Sequence, residues 1–247
     1  MSKDIIDKLD EYITSKLTIM YLFAVRFENI IEKNILFDKD LLKKFESAYN
    51  SVKNIPDDKI RFSEIDRLKT TEPEQYEKII LRMNSLITMK KIEFDITLAE
   101  KNFKLMGLTS IFIMSYSYFE ECLCRTGEII CAAKELKINW KDLRGSTLEA
   151  IKLFFNKVVS IDYDFGGSQE WDSIQNYQSI RNYITHSGNI VLPIDSTQKI
   201  VDVINKFKDI LISDKGEIII KTEFITESIN VYEKFFAGLL TSIKNTM

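Results

Sequence analysis

The sequence predicts an all-α fold interrupted by one small β-hairpin. Three observations predict it. Gly (8) and Pro (3) are scarce among 247 residues, too few for the frequent turns of a β-sandwich. Apolar residues recur at steps of three and four over long stretches, which is the period of a helix face. Two short β-prone runs depart from that habit. Ile210-Leu211-Ile212 and Ile218-Ile219-Ile220 flank the turn-prone Ser213-Asp214-Lys215-Gly216, so a hairpin is expected near 208–221.

The elements follow in order. Ile5, Ile6, Leu9, Ile13, Leu17, Tyr21, Ala24, Phe27, Ile30 and Ile31 predict one long amphipathic helix over 4–33. Asp38 or Asp40 can cap a second helix reaching about Lys53, and Ile55-Pro56-Asp57-Asp58 breaks the pattern. A short helix is expected near 60–69. Thr71-Glu72-Pro73-Glu74 has capping-box spacing and opens a helix to about Phe94. The most apolar part of the chain, roughly 96–136, comes next. Leu98, Phe103, Leu105, Met106, Leu108, Ile111, Met114, Tyr118, Leu123, Ile129 and Ile130 are its expected core residues, and Gly107 is a candidate bend.

Ser146 and Glu149 offer a second capping box, for a helix to about Val159. Asp162 to Gly167 reads as a loop. Ser168 caps a helix from Gln169 to about His186, with Gly188 placed to end it in a left-handed conformation. Ile190 to Pro193 reads as extended and 196–207 as helical. Thr222 or Thr226 leads into a last helix through Ile243. No internal repeat and no Gly-, Ser- or Pro-rich linker divides the chain. A weak boundary near 94 separates an N-terminal helical region, 1–95, packed on a main helical domain, 96–247.

Charge narrows the function. Lys+Arg (34) against Asp+Glu (37) gives −3, so no global basic field draws in nucleic acid, and any such binding needs a local patch. Cys122, Cys124 and Cys131 share one apolar stretch and read as reduced, buried thiols rather than a disulfide or metal set. No charged segment precedes an apolar run at the N-terminus, and the most apolar stretch, Leu105 to Phe119, is short and broken by Gly and Ser. The chain therefore reads as cytoplasmic, with no membrane partner. There is no phosphate-binding glycine loop, no GxSxG, no HExxH and no paired CxxC. No cofactor or metal is expected.

One constellation remains. His186 is the sole histidine. It closes Arg181-Asn182-Tyr183-Ile184-Thr185-His186 at an expected helix end. Asn182, four residues earlier, lies on nearly the same face, whereas Arg181 is about 140° away, so Arg181 and His186 flank Asn182. Tyr183 and Ile184 are expected to pack inward. The trio suits phosphodiester chemistry. Arg offers a forked permanent cation to phosphate oxygens, Asn an orienting donor and acceptor, and His a proton carrier near neutral pH. RNA supplies its own nucleophile, the 2′-OH, so no metal is needed to make one. A single imidazole is acid or base at a given moment. A two-fold dimer would bring a second.

Arg181-Asn182, three further residues and His186 resemble the motif of the HEPN superfamily, an Arg followed after four to six residues by His, often with a polar residue next to the Arg. Met114 to Leu123, with its aromatic residues and Glu120-Glu121, also resembles a core helix of that family. The likeness covers roughly 96–245.

It implies a HEPN-like helical bundle with an N-terminal extension, dimerised so that two motifs share a cleft. It implies a metal-independent endoribonuclease that leaves 2′,3′-cyclic phosphate and 5′-OH ends, acting as a toxin or host-defence effector. The alternative within the family is a noncatalytic nucleotide- or RNA-binding or dimerisation module. By this resemblance His186 is the acid/base residue, Arg181 holds the phosphate and Asn182 orients it. Glu120 or Glu121 assists, with Glu121 preferred because it lies beside the face marked by Tyr118 and Cys122. Arg125, Lys134, Lys137, Lys141 and Arg144 form a candidate basic rim for RNA. Trp140 and Trp171 are expected to anchor packing rather than stack on bases. The implied partners are RNA, a second copy of the chain, and an antitoxin or other regulatory protein.

Overall fold

Apolar side chains at Leu108, Ile111, Phe112, Tyr116, Phe119, Leu123 and Ile130 make a continuous buried stripe on one helix, and the main core assembles around it. In the computed structural model, which describes residues 3–51, 62–188 and 198–246 (backbone only at 3 and 62–66), this helix is α4, Lys104–Ala133. The others are α1 (Lys3–Ser51), α2 (Phe62–Thr71), α3 (Pro73–Leu98), α5 (Thr147–Leu153), α6 (Gln169–Ser187), α7 (Gln198–Ile204) and α8 (Thr222–Thr246). Strands β1 (Ile210–Ile212) and β2 (Ile218–Ile220) pair antiparallel, Ile210 opposite Ile220. The fold is mainly α-helical with one small hairpin, as expected. Among the described residues no helix is long and apolar enough to cross a membrane.

Packing divides the chain into two compact units. One holds the residues up to Phe27 together with those from Met106 onward, and the other is Glu28–Leu105. The boundary read from the sequence near 95 falls inside the second unit.

The first unit is built on aromatic contact. Phe119 stacks on Tyr232 of α8 at 4.6 Å between centroids and meets Phe235 and Phe236 edge-on or tilted. Phe165 and Trp171 pack at 4.9 Å, so Trp171 anchors the start of α6. Gly107 faces the Phe27 ring so closely that no Cβ fits between them. In the second unit Ile35, Ile92 and Ile96 form a small core, and Lys104 reaches Glu28 at 2.6 Å and Glu32 at 3.3 Å.

Several boundaries differ from expectation, each for a local reason. α1 is a single helix, with no second start at Asp38 or Asp40. No Gly or Pro lies between residues 3 and 51, and Asp40 instead faces Lys43 one turn on, at 3.7 Å. The Thr71 box does not form. The Thr71 hydroxyl donates back to the Arg67 carbonyl at 3.0 Å, Glu72 becomes the N-cap residue without a side-chain bond, and Pro73 takes the first turn. Helix α3 passes Phe94 and reaches α4 through a π-helical turn, Ala99–Phe103. Phe103, Met106 and Met114, expected in the core, are exposed, because the buried stripe runs through Phe112, Tyr116 and Phe119 instead.

The Ser146 box is complete: the Glu149 amide donates to Ser146 Oγ and the Ser146 amide to Glu149 Oε2. The expected helix to Val159 is α5 followed by a π-helical turn, Phe154–Val159. In the hairpin Ile218 and Ile220 point inward and Ile219 outward. The expected extended segment Ile190 to Pro193 lies outside the described residues.

Candidate active site

Helix α6 places the candidate residues. Its Ser168 Oγ accepts from the Trp171 amide at 3.1 Å, fixing the start of the helix. Trp171, Ile174, Tyr177, Ile180 and Ile184 bury one face, and the motif residues stand beside it. The Thr185 hydroxyl donates to the Arg181 and Asn182 carbonyls, at 3.0 and 3.1 Å, within the last turn. Gly188 closes the helix with φ +73° and ψ −170°, its amide donating to the Ile184 carbonyl at 2.9 Å. The positive φ matches expectation. The extended ψ lies outside the left-handed helical region, and only glycine adopts that pair readily.

Arg181 and Asn182 touch: Nη1 donates to Oδ1 at 3.0 Å. The Arg181 guanidinium is half-buried, 6.0 Å from the centre of the Tyr116 ring on α4. Its Nε is buried with no acceptor among the described residues. Burial pushes the Tyr116 phenol far above its ordinary range, with Glu120 adding to the rise and Arg181 opposing it. Burial likewise raises the Glu120 carboxyl, while Arg181 pulls it down.

His186 is exposed. It lines an open groove of about 390 Å³ between α6 and α7, with Ser179, Asn182, Tyr183 and Lys199 among the other walls. No carboxylate stands among the described lining residues. Asn182 is therefore the link, bonded to Arg181 on one side and sharing the groove with His186 on the other. Arg181 itself is not a groove residue.

The two glutamates separate. Glu120 lies within electrostatic reach of Arg181, whereas Glu121 is exposed and accepts the Tyr12 hydroxyl at 2.9 Å. The sequence preference for Glu121 misjudged the face. Tyr116 and Phe119 mark the buried stripe more strongly than Tyr118, and Glu120 follows Tyr116 by one turn on the side that meets α6.

The basic residues Arg125, Lys141 and Arg144 are all exposed and none lines the groove. Arg125 lies over the Tyr12 ring at 4.7 Å, and Lys141 pairs with Glu128 at 2.6 Å. Trp171 is buried and Trp140 half-buried, both in packing roles. Tyr183 divides its surface, partly packed on the core and partly in the groove, while Ile184 is buried.

Lys199 escaped sequence reasoning, because it belongs to a separate short helix and no local pattern joins it to His186. The three cysteines are unpaired, and no group of His, Cys, Asp and Glu among the described residues could hold a metal ion. No protein-family model, no curated protein and no solved structure matches the chain.

Proposed function

We propose that this protein is a metal-independent endoribonuclease of the HEPN type, a toxin or host-defence effector working as a homodimer. One observation carries the reading. The only imidazole of the chain is exposed in a groove beside Asn182, which is tied to Arg181, and no acid lines that groove among the described residues. Such a lining suits a polyanion, because Lys199 and His186, with no acid beside them, are the basic side chains among its described lining residues.

In the proposed reaction an imidazole takes the proton of the 2′-OH, and the 2′ oxygen attacks phosphorus. The bond from phosphorus to the 5′ oxygen breaks, and that oxygen leaves with a proton from the general acid. The products are a 2′,3′-cyclic phosphate and a 5′-OH. A second copy supplies the second imidazole, so each ring keeps one proton role per turnover. Arg181, through Asn182, biases the phosphate oxygens with positive charge.

The inward setting of Arg181 favours a second reading, a noncatalytic module of the same type that binds nucleotide or RNA. One experiment separates them. Purified protein is incubated with a mixed RNA pool in excess EDTA, the RNA ends are analysed, and light scattering reports the oligomeric state. The first reading expects a dimer and cyclic-phosphate ends. Binding without cleavage supports the module, and cleavage that returns only with added divalent ion contradicts the mechanism.

A further inference from the structure

A groove elsewhere in the first unit has no role in that chemistry. Between Tyr12 and Phe27 only Lys16 and Arg26 carry charge, and between Leu105 and Phe119 no residue does. Both stretches nevertheless present large apolar side chains to solvent. Ile19 is 58% exposed, Phe23 47% and Leu22 43% on α1, and Met114 38% on α4. With Tyr118 and Arg26 they line an open, mainly apolar groove of about 510 Å³. The Lys16 ammonium stands over the Tyr118 ring at 4.8 Å. Exposed apolar surface of this kind, edged by polar groups, marks an interaction site.

The Arg181 site does not use this face. Tyr116 and Glu120 are the α4 residues directed toward Arg181. Met114 and Tyr118 lie two residues either side of Tyr116, about 200° round the helix, and so on its far side. The described residues that line the His186 groove and those that line this one are different sets. The inference is independent of the ribonuclease reading.

We infer that this groove docks an amphipathic helix of another protein, one whose apolar face is flanked by acidic residues. Ile19, Leu22, Phe23 and Arg26 fall at i, i+3, i+4 and i+7, the spacing by which a helix edge receives a second helix. Charge selects the partner. Lys16 and Arg26 offer positive charge near and along the groove, and Glu121, which accepts the Tyr12 hydroxyl, has the Arg125 guanidinium over that same ring at 4.7 Å. A second copy fits poorly. A two-fold axis centred on the groove would set Lys16 of one copy against Arg26 of the other, and like charges opposed across an interface are repulsive.

The test uses the full-length protein and two labelled helical peptides of roughly five turns, each with leucines at i, i+3, i+4 and i+7. One carries glutamates on the remaining positions and the other lysines. Fluorescence anisotropy is expected to show the acidic peptide binding at least about tenfold more tightly. Phe23→Glu, at an exposed position, is expected to weaken it by about tenfold or more. Lys16→Glu combined with Arg26→Glu is expected to transfer the preference to the basic peptide. Circular dichroism checks that each variant is folded. Equal affinity for both peptides, or none for either, overturns the proposal. So does a dimer that Phe23→Glu dissociates, which assigns the face to a second copy. Phe23-dependent binding to phosphatidylserine vesicles with no peptide binding assigns it to a membrane and also overturns the proposal.

Discussion

Arg181 donates from Nη1 to Oδ1 of its neighbour Asn182 at 3.0 Å, turning its cation toward α4 while Asn182 faces the groove that holds His186. The Arg and the His of the motif are therefore connected through the residue between them rather than by sharing a surface. This agrees with their separation of about 140° on a helix. It also makes the surroundings of Arg181, chiefly Tyr116 and Glu120, part of the site.

Glu120→Gln is expected to leave the protein as stable at neutral pH or to stabilise it. Burial raises the Glu120 carboxyl above its ordinary range, and Arg181 offsets this only in part. The sign follows from linkage. Below the unfolded pKa the carboxyl is protonated in both states and carries no penalty. As pH rises through the folded pKa, ionisation in the half-buried site disfavours the native state. Thermal melting of parent and variant should agree at acid pH and diverge in favour of the variant as pH rises. A variant less stable at pH 7 than at pH 4, relative to parent, would contradict this.

Two thiols on α4, Cys122 and Cys124, are expected to be sluggish. Burial pushes Cys122 up to about 12 and Cys124 up to about 11, so little thiolate exists at pH 8. Labelling by iodoacetamide in native buffer should be far slower than in denaturant. Rapid native labelling of Cys122, followed by mass spectrometry, would show that this part of the core opens.

Gly188→Ala is expected to lower stability by about 1–3 kcal/mol, since the φ/ψ pair there belongs to glycine. No atom would crowd the added methyl group, so the loss is one of backbone strain. Urea denaturation measures it, and an unchanged midpoint would mean that the helix end rearranges without penalty.

Much of the framework is legible in the chain. Ser146 with Glu149, Ser168 before Trp171, and the Ile210–Ile220 hairpin each carry a local signal, because a cap or a turn is decided by a few adjacent residues. The Thr71 box failed because one hydroxyl has two acceptable uses and the pattern does not say which wins. The α4 register was harder. Leu, Met, Phe and Tyr fall all round that helix, so periodicity alone did not separate Glu120 from Glu121, and the contact with α6 decides it. The motif Arg181-Asn182 to His186 is local and readable. Lys199 reaches the groove only through tertiary packing.

The most direct test compares RNA cleavage by the parent with that by His186→Ala under identical conditions, alongside thermal melts of both. His186 is exposed, so its truncation should shift stability by no more than about 0.5 kcal/mol. The account predicts that cleavage disappears while the melt is unchanged. A folded His186→Ala protein that cuts RNA as fast as the parent would contradict it.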